Sequence, residues 1–386
     1  MKTDKLYYKD AYINNFSAVV LSVKQEGEYY LTELDKTAFF PEEGGQPADI
    51  GYIGEHTVVD VRELDEGIFH YTRTMPEPGR EYSCKIDFER RIDRMRCHTA
   101  EHILCGIIHR LYGYDNVGFH LGDDTVTFDI SEFLDREQLK EIESIANEIV
   151  MQCKPIYTSF PSVEELSGIE YRAKLDLTQG VRLVYIGENG EVDICACCAP
   201  HVKNTGEIGI IKIIDSMRHR GGVRITMLAG ERALSDYSSR LLATRRISEL
   251  LCVPQVDVSD GVEKLLADYE GLRQRMNEML LERIKLEADS IDLSKPITVV
   301  YYPDYTLKEL NELVKLAMPR VEGMLVALSG EGTNIKYIIS SSDTDLRALV
   351  KQINNDLCGK GGGKSEQVQG SFACPIDEII SYFEGM

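Results

Sequence analysis

The chain has 386 residues, 43% hydrophobic and 28% charged, enough for about two to four domains with buried cores, and no stretch approaches the roughly 20 uninterrupted apolar residues of a membrane span. Forty-three Lys and Arg against 64 Asp and Glu leave a net charge of −21, which excludes sequence-blind coating of nucleic acid and leaves recognition through local basic or backbone-donor sites. The amino terminus lacks an apolar signal segment, so a cytoplasmic chain with reduced cysteines is expected, its thiols available for ligation.

In chain order, β-prone runs at 18–23, 28–34, 51–61, 67–74 and 81–87, separated by turn signals, predict a small barrel-like sheet over 1–90. The Gly- and Pro-rich stretch from Thr37 to Gly51 is a shaped loop within it. Helical periodicity over 94–112, closed by Gly113, opens a second region, 91–230. There a strand at 125–130, a helix opened by the Asp135/Gln138 capping box and strands at 182–186, 192–195 and 208–214 predict a two-layer α/β domain. Region 231–293 reads as a helical linker or coiled-coil hairpin, with Val262, Leu265, Tyr269, Leu272, Met276, Met279 and Leu286 forming an apolar seam. Region 294–386 alternates strands and helices around a glycine cluster as a small α/β domain. The fold class is α+β.

Two residue pairs carry chemistry. His98 and His102 lie four apart on a predicted helix, so their imidazoles project from one face and can grip one ion. Cys197 and His201 follow a predicted strand, and together the two pairs offer the nitrogen and sulfur donors that zinc favours. Cys195 and Cys198 are close enough to replace Cys197, and Cys105 shares the face of His102. The run His98-Thr-Ala-Glu-His102 also parses as the His-x-x-Glu-His pattern of inverzincin peptidases, with Glu101 as base. That reading leaves Cys197 and His201 unused.

The 37–51 loop, the paired histidines and the run from Cys197 to Gly209 resemble, in order and separation, the editing domain of alanyl-tRNA synthetases and the freestanding AlaX-type editing hydrolases. The helical pair and terminal domain resemble the DHH-associated domain that follows the editing module in the long forms. The resemblance implies a zinc hydrolase acting on tRNA(Ala) mischarged with serine or glycine, with zinc on His98, His102, Cys197 and His201. It further implies catalytic positions at Gln46 and Arg224. Substrate contacts are expected at Gly44 and Gly45 of the loop, at Thr37 as a hydroxyl partner for serine, and at Gly361, Gly362, Gly363 and Lys364, where glycines and lysines suit RNA phosphate. The family pattern Cys-Gly-Gly-Thr-His stands here as Cys-Cys-Ala-Pro-His. A homodimer through the helical segment is a further expectation. The non-enzymatic alternative is a zinc-stabilised RNA-binding protein.

Overall fold

The computed structural model describes residues 3–173 and 180–386. By contacts the chain divides into two units, Met1–Arg246 and Ile247–Met386. The division falls inside the helix Glu231–Leu251.

In the first unit six strands follow one another round a closed barrel: Asn15–Glu26, Tyr29–Leu34, Gly67–Thr72, His56–Leu64, Gly51–Ile53 and Glu81–Ile86. Alternating side chains point inward, and Ala18, Val20, Leu34, Phe39, Val58, Val61 and Ile86 fill the interior. Residues 51–61, read as one strand, are a hairpin of two, because Gly54 at φ +59° turns the chain.

The barrel leads into the helix Phe88–Tyr112. Asp87 caps it by accepting from the Arg90 amide, and Gly113 closes it in the left-handed conformation. It therefore starts six residues before the apolar pattern suggested, and its polar first turns turn out to matter. The helix Arg136–Met151 begins at the expected capping box. Both helices pack on a four-stranded sheet ordered Ile211–His219, Gly222–Ala229, Val126–Ile130, Asn116–Leu121. The strand expected at 208–214 begins only at Ile211: Thr205–Ile208 is a 3₁₀ turn, and Gly209 at φ +83° breaks the run. A second, three-stranded sheet joins Ile156–Ser159, Leu183–Ile186 and Asp193–Ala196.

In the second unit the helix Val258–Ser290 precedes a five-stranded sheet ordered Ile297–Tyr301, Met324–Ser329, Ile335–Ser341, Gln367–Phe372, Lys360–Gly363. One apolar layer packs Leu307–Ala317 against the sheet together with Ile284 and Ala288, and a second packs Leu346–Asp356 and Ile376–Glu384. The glycine cluster is thus an edge strand and not a loop. Leu265, Leu272, Met276 and Met279 stay exposed along the long helix. Among the described residues no helix is long and apolar enough to cross a membrane. All ten cysteines are free thiols.

Candidate metal centre

Helical spacing sets His98 and His102 one turn apart, ring centroids 5.2 Å from each other. The strand Asp193–Ala196 then delivers Cys197 and His201 opposite them. The His201 ring lies 4.9 Å from that of His98 and 4.7 Å from that of His102. One donor atom from each of the four residues lies within 4.8 Å of all the others. Cys197 Sγ is 3.4 Å from His201 Nε2 and 3.7 Å from His98 Nε2. Tetrahedral zinc, with Zn–N about 2.0–2.1 Å and Zn–S about 2.3 Å, spaces nitrogen and sulfur about 3.5 Å apart.

The outward ring nitrogens are also provided for. Gln46 Oε1 lies 2.8 Å from His98 Nδ1; an amide oxygen only accepts, so Nδ1 carries the proton and Nε2 presents its lone pair. Thr99 Oγ1 donates to the Met95 carbonyl at 2.7 Å, which leaves it to accept from His201 Nδ1 at 3.0 Å. The same logic turns His201 Nε2 inward. His102 Nδ1 lies 3.3 Å from Asp193 Oδ2, out of line for a good hydrogen bond, and Asp193 is itself gripped by Arg172 through two contacts of 2.7 Å. Donor set and supporting contacts fit zinc.

Burial pushes the Cys197 thiol up, but the imidazoles of His98 and His201 beside it outweigh this and hold the group well below the ordinary thiol range. Cys198 moves the other way, raised by burial and by the charge of Cys197. Of the two adjacent thiols, Cys197 is the one grouped with the three histidines. Cys195 groups with His102 and Asp193 instead. Cys105 donates to Glu101 at 3.4 Å, and Asn116 holds the same carboxylate oxygen.

The 37–51 loop reaches this centre through a clamp on the helix. Glu43 and Gln46 exchange backbone hydrogen bonds of 3.1 and 3.0 Å around Gly44 and Gly45. A Cβ on Gly45, already at φ +84°, would fall 2.7 Å from the Phe119 carbonyl oxygen, so glycine is what lets the turn touch that strand. Arg91, fully buried, pairs with Asp49 and donates to the Ala11 and Ala38 carbonyls; Arg94 donates to Pro47 and Ala48. Helix approach to the ligand strand relies on Gly106, whose Cβ would lie 2.7 Å from the Val192 carbonyl oxygen.

A cavity of 870 Å³ opens over the cluster, lined by His98, His102, Cys197, Gly44, Glu43 and Glu101 among others. The structure thus gathers the four donors with Gln46, Gly44 and Gly45. Gln46 is fully buried, with its side-chain oxygen on His98 Nδ1. Two of the expected site residues stand apart from the donor cluster. Thr37 lies inside the barrel, bonded to His70 at 2.8 Å and to the Phe39 amide, and does not face the cavity. Arg224 projects from the sheet face opposite the buried Val223, Ile225 and Met227 and forms a bidentate pair with Asp129 at 2.7 and 2.8 Å. Strand alternation puts it away from the histidines. Gly361, Gly362, Gly363 and Lys364 belong to the second unit. Sequence reasoning missed Thr99, Arg172, Asp193 and Asn116; the signal available was a lone carboxylate, Asp193, in an otherwise apolar strand.

Residues 181–226 match the family described as the threonyl and alanyl tRNA synthetase second additional domain, a span that contains Asp193, Cys197 and His201. The alanyl-tRNA editing protein AlaX-L of Pyrococcus horikoshii is 25% identical over 398 residues, covering 98% of this chain and 96% of that protein. The chain is a homologue of AlaX-L. Alanine–tRNA ligases of Halobacterium salinarum and Archaeoglobus fulgidus are 33% and 30% identical, over 89% and 97% of this chain. The chain spans only 39% and 43% of the length of those ligases. A crystal structure of the C-Ala domain of Aquifex aeolicus alanyl-tRNA synthetase aligns with 23% of the chain at 18% identity and a TM-score of 0.21, too low to support a fold assignment.

Proposed function

We propose that the protein is a tRNA-editing hydrolase that removes serine, and also glycine, from mischarged tRNA(Ala), using zinc held by His98, His102, Cys197 and His201. The observation that carries this reading is the convergence of four donors, three of which, His98, His102 and Cys197, line one cavity, in a chain similar to an alanyl-tRNA editing protein over nearly its whole length. Bound zinc supplies Lewis acidity toward the ester carbonyl or a water molecule. Gln46 and Thr99 keep two imidazoles in the tautomer that faces inward. Asp193 and Arg172 brace the third.

Serine exceeds alanine by one hydroxyl. A site that hydrogen-bonds this group rejects its absence strongly, because the site's own polar atoms are left unpaired. With Thr37 inside the barrel, the hydroxyl partner belongs among the polar groups lining the cavity, of which Glu43, Cys198 and Glu101 stand beside the cluster. The second unit supplies tRNA affinity in this reading, and the exposed apolar residues of the Val258–Ser290 helix are the surface on which two copies pair.

Purified protein incubated with Ser-, Gly- and Ala-tRNA(Ala) tests the reading. Loss of the seryl and glycyl esters is expected, with the alanyl ester spared. Four protein donors fill a tetrahedral shell, as in structural zinc sites, which favours one second reading, a non-catalytic RNA-binding module. Tight tRNA binding with no hydrolysis of any ester, zinc present, would select it.

A further inference from the structure

The cavity above the four donors has a second wall that the ester chemistry does not use. Tyr8 and Phe160 both line it. Their ring centroids stand 5.5 Å apart with planes at 66°, so the rings meet edge to face and form a corner. Tyr8 packs on Tyr7, Phe40 and Ala199, the same small cluster that supports Cys197 and Cys198, which ties the corner to the metal-binding loop. Phe160 is 55% exposed on the cavity side of this corner.

Arg182 completes the wall. The residue is 7% exposed, its guanidinium carbon lies 5.3 Å from the Tyr8 ring centre, and it lines the cavity. Nη1 donates to the Cys197 and Ala199 carbonyls at 2.8 Å each. Nε, in contrast, is buried with no acceptor. A buried cationic donor left unpaired is costly, and because Arg182 lines the cavity, an oxygen arriving with a ligand would relieve that cost.

An open aromatic face beside an unpaired guanidinium N–H suits a nucleotide: the ring stacks a base, and the N–H meets an oxygen of its sugar or phosphate. Stacking needs no positive field, which matters in a chain of net charge −21. We propose that Phe160 stacks the base of the nucleotide whose ribose carries the ester, that Tyr8 walls the base in, and that Arg182 Nε donates to an oxygen of the same nucleotide. This rests on the editing reading, since only there does a nucleotide enter the cavity with the reacting carbonyl.

The test uses the full chain, Phe160→Ala and Phe160→Tyr, with zinc content checked in each. Equilibrium binding is measured to two uncharged acceptor-stem RNAs, one intact and one whose 3′-terminal nucleotide lacks its base. Wild type and Phe160→Tyr are expected to prefer the intact RNA by roughly tenfold, and Phe160→Ala to lose that preference. With seryl-charged RNA, Phe160→Ala is expected to raise KM by a similar factor while kcat stays within about twofold. Equal binding of the two RNAs by wild type, or an unchanged preference in Phe160→Ala, overturns the proposal. A wild type that keeps the base preference yet hydrolyses no seryl ester supports the stacking seat while rejecting the editing reading, so the two failures are distinct.

Discussion

Gln46 Oε1 accepts from His98 Nδ1 at 2.8 Å across 52 residues of sequence, and this one contact couples the glycine loop of the barrel to the helix that carries His98 and His102. A neutral amide oxygen so placed fixes the imidazole tautomer without adding charge to a site that already holds a thiolate. Replacing Gln46 with Leu removes the acceptor, leaving Nδ1–H buried and unpaired. Zinc affinity is expected to fall by about 10- to 100-fold, the usual effect of removing such a supporting contact. Gln46→Glu keeps an acceptor and is expected to bind more tightly than Gln46→Leu. Competition with a chromophoric chelator measures both; equal affinities in wild type and Gln46→Leu would show that the contact does not tune the metal.

The loop is held in turn by Arg91 and Asp49, whose side chains are 0% and 1% exposed. Asp49 also accepts from the Phe40 amide at 2.6 Å. Asp49→Ala strands a buried guanidinium, and removing one partner of such a pair costs about 3–5 kcal/mol. Urea unfolding should show that drop in stability, whereas Asp49→Ala combined with Arg91→Met, which removes the stranded charge, should recover part of it. If the double variant is no more stable than the single one, the penalty comes from loop packing and not from the unpaired charge.

The parts of this site that were legible in sequence are those with local signals. Four-residue spacing sets His98 over His102, a Gly marks the helix end at 113, and a capping box opens the helix at Asp135. Arg91 and Arg94 carry no such signal: their positions in the first turns of a helix look solvated, and only the returning loop makes them buried. The strand Asn116–Leu121 was hidden by Gly118, which weakens any β pattern; the absence of a side chain there makes room for Asp129, whose Oδ2 would lie 2.8 Å from a Cβ. Thr37 and Arg224 lie off the donor cluster for one reason. Which face of a strand or loop points to the cavity depends on register, and register is set by pairing partners far away in sequence.

His70 gives the barrel a pH-sensitive core. Burial lowers its pKa from 6.5 to about 4, and the neutral ring donates from Nδ1 to the Thr32 carbonyl at 3.0 Å while Nε2 accepts from the Thr37 hydroxyl at 2.8 Å. The unfolded chain takes up the proton first as pH falls, so this contribution is complete above the unfolded pKa and is lost on going down through the folded one. The full loss is about 3 kcal/mol, of which roughly 2 kcal/mol has gone by about pH 5. Unfolding midpoints measured from neutral to mildly acid pH check this. His70→Gln should flatten the dependence over that window; a variant as acid-sensitive as wild type would place the titrating group elsewhere.

The glycine cluster calls for two different experiments, because its structure separates two roles. Lys360–Gly363 pairs with Gln367–Phe372 as the sheet's edge strand, and all four of its residues are exposed. A Cβ on Gly361 would fall 2.3 Å from the Gln369 carbonyl oxygen and from Tyr337 Oη, so Gly361 is required for packing, and Gly361→Ala should destabilise this unit by about 1–3 kcal/mol. The lysines make no such demand. Lys360 and Lys364 sit at either end of the strand beside backbone donors, a layout that suits phosphate binding in a chain otherwise too acidic to bind RNA by charge alone. Replacing both with alanine should leave unfolding unchanged and weaken tRNA binding. For every phosphate no longer neutralised, the log–log salt dependence should flatten by roughly 0.7–0.9, a drop of up to about 1.8 for the pair. Anisotropy titrations of labelled tRNA over a range of salt read that slope directly. If affinity falls and the slope stays fixed, the lysines act through the shape of the edge and not through phosphate; if neither changes, tRNA does not touch this strand.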